Sequence, residues 1–344
     1  MEPRYIFPTC AIAGPGNHLA AAADPAAMRD IRSLAPLAAN EEPFLYGSGI
    51  PADLSTVKRG SVALVIRGSG TAQEVLLIKR TSRPTDYWSG HLAFPGGRHE
   101  QGETDFETAV RETLEEVGLD LTATADYLGP LDPRLIRIRW GKKLAMVLCP
   151  FVFQMRDECC NAELVPQDSE VAAVFWHPLA KLYSPEFRST EVVPVESRLN
   201  LPCKILTKLV ASQVGDITFD AVDVTPALPE AVLKPLPATP WKVWGITWGV
   251  LQDFQRLVEP RTSVHDVRMP SFKSRDFAAV LSAISSLSTW RKRRAYAVSQ
   301  ADWTNKMLDG YFSYFPYAIV LGILLRAGAL ALVAKILWRK CIRR

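Results

Sequence analysis

Hydrophobic positions change their spacing several times along the chain, and each change predicts an element. Ser61–Ile66 and Glu74–Lys79 are nearly continuous apolar runs, the pattern of strands buried on both faces. Gly68-Ser69-Gly70 lies between them, so the two read as a hairpin. Leu92–Phe94 is a short apolar piece running into Pro95-Gly96-Gly97. From Asp105 the spacing turns helical: Phe106, Val110, Thr113 and Val117 form one stripe, and Gly118 stands where a C-terminal cap belongs. Strands follow at Tyr127–Leu131, Ala145–Gln154 and Val171–Trp176, and Trp244–Val258 carries the stripe of a closing amphipathic helix. Strands interleaved with helices over 55–260 predict an α/β layered domain. Within it, residues 184–240 are Pro-rich and weakly patterned, and read as an irregular insertion with a few strands.

The two ends differ from this middle. Residues 1–54 are rich in Ala, Pro and Gly without a sustained period, which predicts an irregular extension with one short helix around 25–37. Its arginines are offset by Glu2, Asp24 and Asp30, unlike a transit peptide. Residues 261–310 read as a linker holding a surface helix: Phe277, Val280, Leu281, Ile284 and Leu287 form a stripe, and Arg291–Arg294 a solvated basic end, the alternative being a helix that lies on an anionic membrane. From Tyr311 to Trp338 the chain is almost continuously apolar, interrupted by Arg326 and Lys335. Residues 316–334 are 19 positions with one charge, near the minimum that crosses a bilayer, and Tyr311, Tyr314, Tyr317 and Trp338 flank them as interfacial aromatics do. Residues 311–344 are therefore expected to be a C-terminal transmembrane anchor with a basic tail, the alternatives being a buried soluble helix and a hairpin or in-plane helix broken near Arg326-Ala327-Gly328.

Composition narrows the class only a little. Of 344 residues 48% are hydrophobic and 22% charged, ordinary globular values that exclude a disordered, collagen-like or coiled-coil chain. The net charge of +4 resides in the tail, since Tyr311–Arg344 holds six Lys/Arg and no acid, leaving residues 1–310 at −2. No nucleic-acid partner is expected. The six cysteines contain no CxxC and suggest neither zinc nor a disulfide framework.

Chemistry concentrates between Gly96 and Leu119. On a helix Glu112, Glu115 and Glu116 stand at i, i+3 and i+4, on one arc beside the apolar stripe. Carboxylates crowded at a core margin raise one another's pKa, and folding alone does not require them there. A hard divalent cation such as Mg²⁺ or Mn²⁺ does. Arg111 reaches Glu115 at i, i+4. Gly97 allows close backbone approach, so its carbonyl is a further metal-ligand candidate, and Glu103 at the helix start is placed to brace the loop. The pattern G-x5-E-x7-R-E-x-x-E-E-x-G followed by Leu119 fixes eight positions. At residue frequencies of roughly 5–10% each, a chance occurrence in the chain falls below about one in 10⁴.

This segment resembles the Nudix box, the signature of Nudix hydrolases, departing from it at Thr113, where the family has an aliphatic residue. Leu76–Arg80, Trp88–Gly97, Tyr127–Pro133, Cys149–Phe153, Glu170–Leu179 and Trp244–Phe254 resemble the subgroup that includes coenzyme A diphosphatases. The resemblance implies an α/β/α sandwich with a mixed β-sheet. It implies metal-dependent cleavage of a phosphoanhydride in a nucleoside diphosphate derivative, with coenzyme A or acyl-coenzyme A first among substrates. A nucleotide-sugar or dinucleotide pyrophosphatase, and a non-catalytic membrane-tethered sensor of a phosphorylated ligand, are the alternatives. Glu112, Glu115 and Glu116 with the Gly97 carbonyl become the metal ligands; Glu115, Glu116, Arg111 and Glu103 the catalytic set, with Glu170 a distant base candidate. Arg80, Arg83 and Arg98 are the phosphate-binding candidates. His91 and His99 are not read as ligands, and Trp140, Trp241, Trp244 and Trp248 read as core or rim aromatics, one of them a base-stacking candidate. A short span with a basic tail is similar to anchors of mitochondrial or peroxisomal outer surfaces, which would leave the catalytic domain in the cytosol.

Overall fold

A computed structural model describes residues 57–83, 88–138, 140, 143–199, 201–229, 232, 239–258, 268–296 and 310–342. The expected N-terminal extension and its short helix lie outside these residues. The first strands are β1 (Arg59–Arg67), β2 (Glu74–Arg80), β3 (Leu92–Ala93) and β4 (Gly96–Arg98). Helix α1 (Asp105–Val117) and a single turn α2 (Leu121–Thr124) lead to β5 (Ala125–Pro130), β6 (Arg134–Ile138), β7 (Lys143–Met155) and β8 (Val171–Pro178). Then come α3 (Leu179–Tyr183), β9 (Arg188–Val193), α4 (Lys204–Val214), β10 (Ile217–Asp223), β11 (Lys242–Trp244) and α5 (Gly245–Val258). The last elements are β12 (Ser271–Phe272), α6 (Arg275–Tyr296) and α7 (Tyr314–Ile342).

The predicted hairpin is real but brief. Antiparallel pairing of β1 with β2 covers Ile66–Val75 and Arg67–Glu74. Beyond that β1 runs parallel to β7, from Arg59–Val147 to Ile66–Gln154, while β2 runs antiparallel to β8. The order β3-β2-β1-β7-β5, with β4 on β1, β6 on β7 and β8 on β2, makes a mixed sheet. Burial explains the unbroken apolar runs: Ala63, Val65, Leu76 and Ile78 face one core with Ala109, Val117 and Leu119 of the α1 side. Leu64, Ile66, Val75 and Leu77 face the other, with Trp248, Leu251 and Phe254 of α5. With a strand period of two, both registers must be apolar when helices cover both faces. The expected α/β/α sandwich is the observed architecture.

Helix α5 is pinned by a buried ion pair as well as by apolar packing. Arg134 reaches from β6 to Asp253, and Gly249, one turn earlier, is where the guanidinium lies: a Cβ there would stand 2.6 Å from Nη1. The short β6 escaped the sequence reading because its Arg134 and Arg137 break the apolar run.

The few strands expected in the 184–240 stretch are β9 and β10; with them comes α4, and β10 is the centre of a second sheet with β9, β11 and β12 on it. Its strands hide from pattern reading because they are mixed in polarity, as Arg188–Val193 shows. The helix expected in a linker is instead part of a third core: Phe277 and Leu281 of α6 are buried with Val214, Ile217, Phe272, Phe315, Ala318 and Ile319. Phe277, Val280, Leu281 and Ile284 of its stripe pack in that core while Leu287 stays exposed, and Gly322 of α7 packs so closely that a Cβ would meet the Phe277 ring at 2.4 Å.

Helix α7 is long and apolar enough to cross a membrane, and its most apolar 18-residue window has a mean hydropathy of 2.2. Its first half is nevertheless docked on the protein, and Arg326, expected in mid-bilayer, lies at the protein surface. Its guanidinium pairs with Asp276 at the start of α6 (Nε–Oδ2 2.5 Å, Nη2–Oδ1 2.9 Å), donates to Ser274 Oγ at 2.9 Å and to the Gln213 carbonyl of α4, and covers the Phe277 ring.

Candidate active site

The phase of α1 is fixed at both ends. Thr104 Oγ1 accepts the Glu107 N–H at 3.2 Å and the Glu107 carboxylate accepts the Thr104 N–H at 2.7 Å, a reciprocal capping box. Gly118 closes the helix at φ 71°, a left-handed conformation suited to glycine. The departure at Thr113 is harmless, because the buried hydroxyl donates to the Ala109 carbonyl at 2.7 Å.

This phase turns Glu112 and Glu116 toward β4. Glu116 is 1% exposed and its Oε2 accepts the Gly96 N–H at 2.8 Å. Glu112 lies against Gly97, where a Cβ would stand 2.4 Å from its carboxylate. Gly96 itself sits at φ 151°, and a Cβ on it would meet the Ser61 carbonyl at 2.2 Å. Gly97 admits no larger residue without moving Glu112, and Gly96 none without moving β1. The Gly96 N–H was missed in the sequence, although the Pro95-Gly96-Gly97 turn was its signal.

Burial pushes the Glu116 carboxyl up to about 7, against the opposing pull of the Gly96 N–H, and raises Glu112 as well. The two acids and Glu170 also repel each other's charge. Glu170 comes from another part of the chain. Gln167 N–H donates to the Glu116 carbonyl, Val165 N–H to that of Val117, both at 2.9 Å, and Thr81 N–H to that of Glu170 at 2.8 Å. The 165–170 loop is thus tied to the backbone of the acidic helix and to the end of β2.

Arg111 organises the remainder. Its Nε and Nη2 hold Glu103 at 3.2 and 2.8 Å, and Nη2 also donates to the Arg98 carbonyl at 3.0 Å. Nη1 stands between Glu112 at 3.1 Å and Glu115 at 3.0 Å. The Arg111 hydrogen bonds hold Glu103 below the usual carboxylate range. Glu103 also accepts the Glu100 N–H at 2.6 Å, bracing the loop as its position suggested. Glu115 is at the rim, its side chain 53% exposed.

The arginines divide. Arg80 reaches Glu116 at 3.7 Å. Arg83 is engaged by Glu170 at 3.4 Å and by the Ser169 carbonyl, and Arg98 is exposed at the edge of the loop. His91 packs edge-on to Trp244, and His99 lies 3.2 Å from Asp105 at the start of α1. Trp140 stacks on Phe315 and Trp248 donates to Asp220, both packing roles, and the Lys79 ammonium lies over Trp241.

Among the described residues, no three acidic, histidine or cysteine side chains converge closely enough to hold an ion by themselves. Arg111 separates Glu115 from Glu112, which accounts for the spread. The donors still fit a hard divalent cation in kind. They are carboxylate oxygens, and two of them sit where burial penalises an uncompensated negative charge.

Residues 57–195 match the NUDIX domain family. An uncharacterised protein of Schizosaccharomyces pombe is 32% identical over 257 residues, 73% of this chain and 77% of that one. Nudix hydrolase 3 of Caenorhabditis elegans is 28% identical over 58% of this chain and 72% of its own length. Nudix hydrolase 15, mitochondrial, of Arabidopsis thaliana is 34% identical over 39% of this chain and 45% of its own length.

Proposed function

Because this chain belongs to the Nudix family and is a hydrolase acting on pyrophosphate bonds, we propose that it cleaves a nucleoside diphosphate derivative, with coenzyme A or an acyl-coenzyme A as the preferred substrate. The observation that carries the metal-dependent part is the Glu112–Glu116 pair, the first half-buried against Gly97 and the second buried on the Gly96 N–H. The flanking resemblance to coenzyme A diphosphatases supports the choice of substrate.

Glu112 and Glu116 would hold Mg²⁺ or Mn²⁺, with Glu115 and the Gly97 carbonyl completing the donor set. An ion held there would neutralise clustered phosphate charge and would polarise the anhydride. Arg111 keeps Glu103, Glu112 and Glu115 in one arrangement. Glu170 accepts a proton from the attacking water, held near the acidic pair by its own loop. Arg80, Arg83 and Arg98 meet the substrate's phosphate oxygens, Arg83 by exchanging Glu170 for phosphate. The C-terminal helix attaches the protein to a membrane, with the catalytic side in the cytosol. The Arabidopsis relative's name supports a mitochondrial surface over a peroxisomal one.

The test is a panel of coenzyme A, acyl-coenzyme A, nucleotide-sugars and dinucleotides with the full chain in Mg²⁺ or Mn²⁺. Coenzyme A derivatives should turn over fastest, and Glu116→Gln should lose at least ~10²-fold in rate, as expected for a ligand of the ion that meets the reacting phosphates. Preference for a nucleotide-sugar or dinucleotide would overturn the substrate, and equal turnover by Glu116→Gln the metal assignment.

A further inference from the structure

Helix α7 has two unlike halves. In the first, Phe315, Ala318, Ile319 and Gly322 are buried on the protein, and Arg326 closes the stripe by clasping Asp276 and the C-terminal end of α4. In the second, every residue with described exposure from Ala327 to Ile342 is exposed, including Leu330 at 72% and Trp338 at 69%. Sixteen helical residues rise about 24 Å, short of the roughly 30 Å hydrocarbon core of a bilayer. Lys335 divides even that length, leaving eight uncharged residues, Ala327–Ala334, which rise about 12 Å, close to one leaflet. The docked half cannot supply the difference while Arg326 holds its partners.

Beside the clasp, α4 presents Ile205 at 79%, Leu206 at 42% and Leu209 at 59% exposure. Its charged residues are Lys204 and Lys208, with no acid, and the free arm of α7 is likewise basic, with Lys335, Arg339 and Lys340. Exposed apolar residues joined to cations only is the complement of an anionic lipid surface. The two helices are continuous at that surface through the Arg326–Gln213 contact.

We propose that this chain is held by a single leaflet, through the free arm of α7 and the apolar face of α4 together, and that α7 does not thread the bilayer. This rests on the reading of α7 as a membrane attachment made above and replaces the spanning anchor expected from sequence. The C-terminus then stays on the side of the catalytic domain, and α4 contributes to binding although it lies about 100 residues before the anchor.

The experiment uses the full chain with a short protease-cleavable tag after Arg344, added to preformed vesicles with and without anionic lipid. Flotation reads attachment, and removal of the tag by external protease reads topology. We expect flotation with anionic vesicles and complete loss of the tag without detergent. Flotation with a tag that is cut only after detergent would overturn the single-leaflet proposal while leaving attachment intact. Failure to float would overturn attachment itself. The double variant Ile205→Asp, Leu209→Asp alters exposed residues far from Glu116 and should hydrolyse substrate in solution as the parent does. It should partition into anionic vesicles at least tenfold more weakly; unchanged partitioning would remove α4 from the proposal.

Discussion

Glu116 is the residue at which folding and chemistry oppose each other. Held at about 7 in the fold but at the ordinary carboxylate value in the open chain, it keeps its proton longer when folded. Its contribution to stability is therefore full below about pH 4.5 and is lost as pH rises through about 7, an ionisation penalty on the order of 3 kcal/mol. Two outcomes follow for the ion-free protein. Its melting temperature should fall between pH 5 and 8 more steeply than that of Glu116→Gln, whose amide oxygen still accepts the Gly96 N–H. The variant should be the more stable of the two at pH 8 while being the poorer catalyst. Added Mg²⁺ or Mn²⁺ should raise the parent's melting temperature at pH 8 and leave the variant nearly unmoved. A variant melting below the parent at pH 8 would refute this account of the buried charge. Gly97→Ala is the companion test: its methyl occupies the Glu112 carboxylate position, so turnover should drop by about 10²-fold with little change in circular dichroism.

Among the elements, legibility followed how each stretch buries its surface. Helix α1 was readable because its stripe and Gly118 act locally, while its Thr104 capping box went unread. The central strands were readable because both faces are apolar. The carboxylate triad was readable as a spacing, but its inequality was not: that Glu112 and Glu116 turn inward while Glu115 stays at the rim depends on where β4 and Arg111 lie. Nor could sequence show that α6 spends its apolar stripe on α7, since a stripe does not name its partner. Buried pairing was equally invisible, as Arg134 and Asp253 lie 119 positions apart. Asp253→Ala leaves a guanidinium uncompensated inside the protein and should cost about 3–5 kcal/mol in urea or thermal unfolding. A loss under 1 kcal/mol would show that the pair is dispensable.

At the scale of the whole molecule, three cores share the work among the described residues, and the third depends on the C-terminal helix. Truncation after Gly310 removes Phe315, Ala318 and Ile319 from contact with Phe277 and Leu281. Hydrogen exchange should then show lost protection in α6 and β12, with β1, β2 and β7 still slow. Truncation after Arg326 keeps those contacts and should leave all five elements protected.

That dependence also makes the third core a lock on the depth of insertion. If heat opens it, Arg326 lets go and the whole 29-residue helix becomes available to lipid, nearly doubling its reach. A chain warmed beside vesicles and cooled again would then remain threaded through them, whereas the same cycle in buffer would restore the starting state. Loss of tertiary order would thus be recorded as a lasting change of topology, readable afterwards in a cold sample.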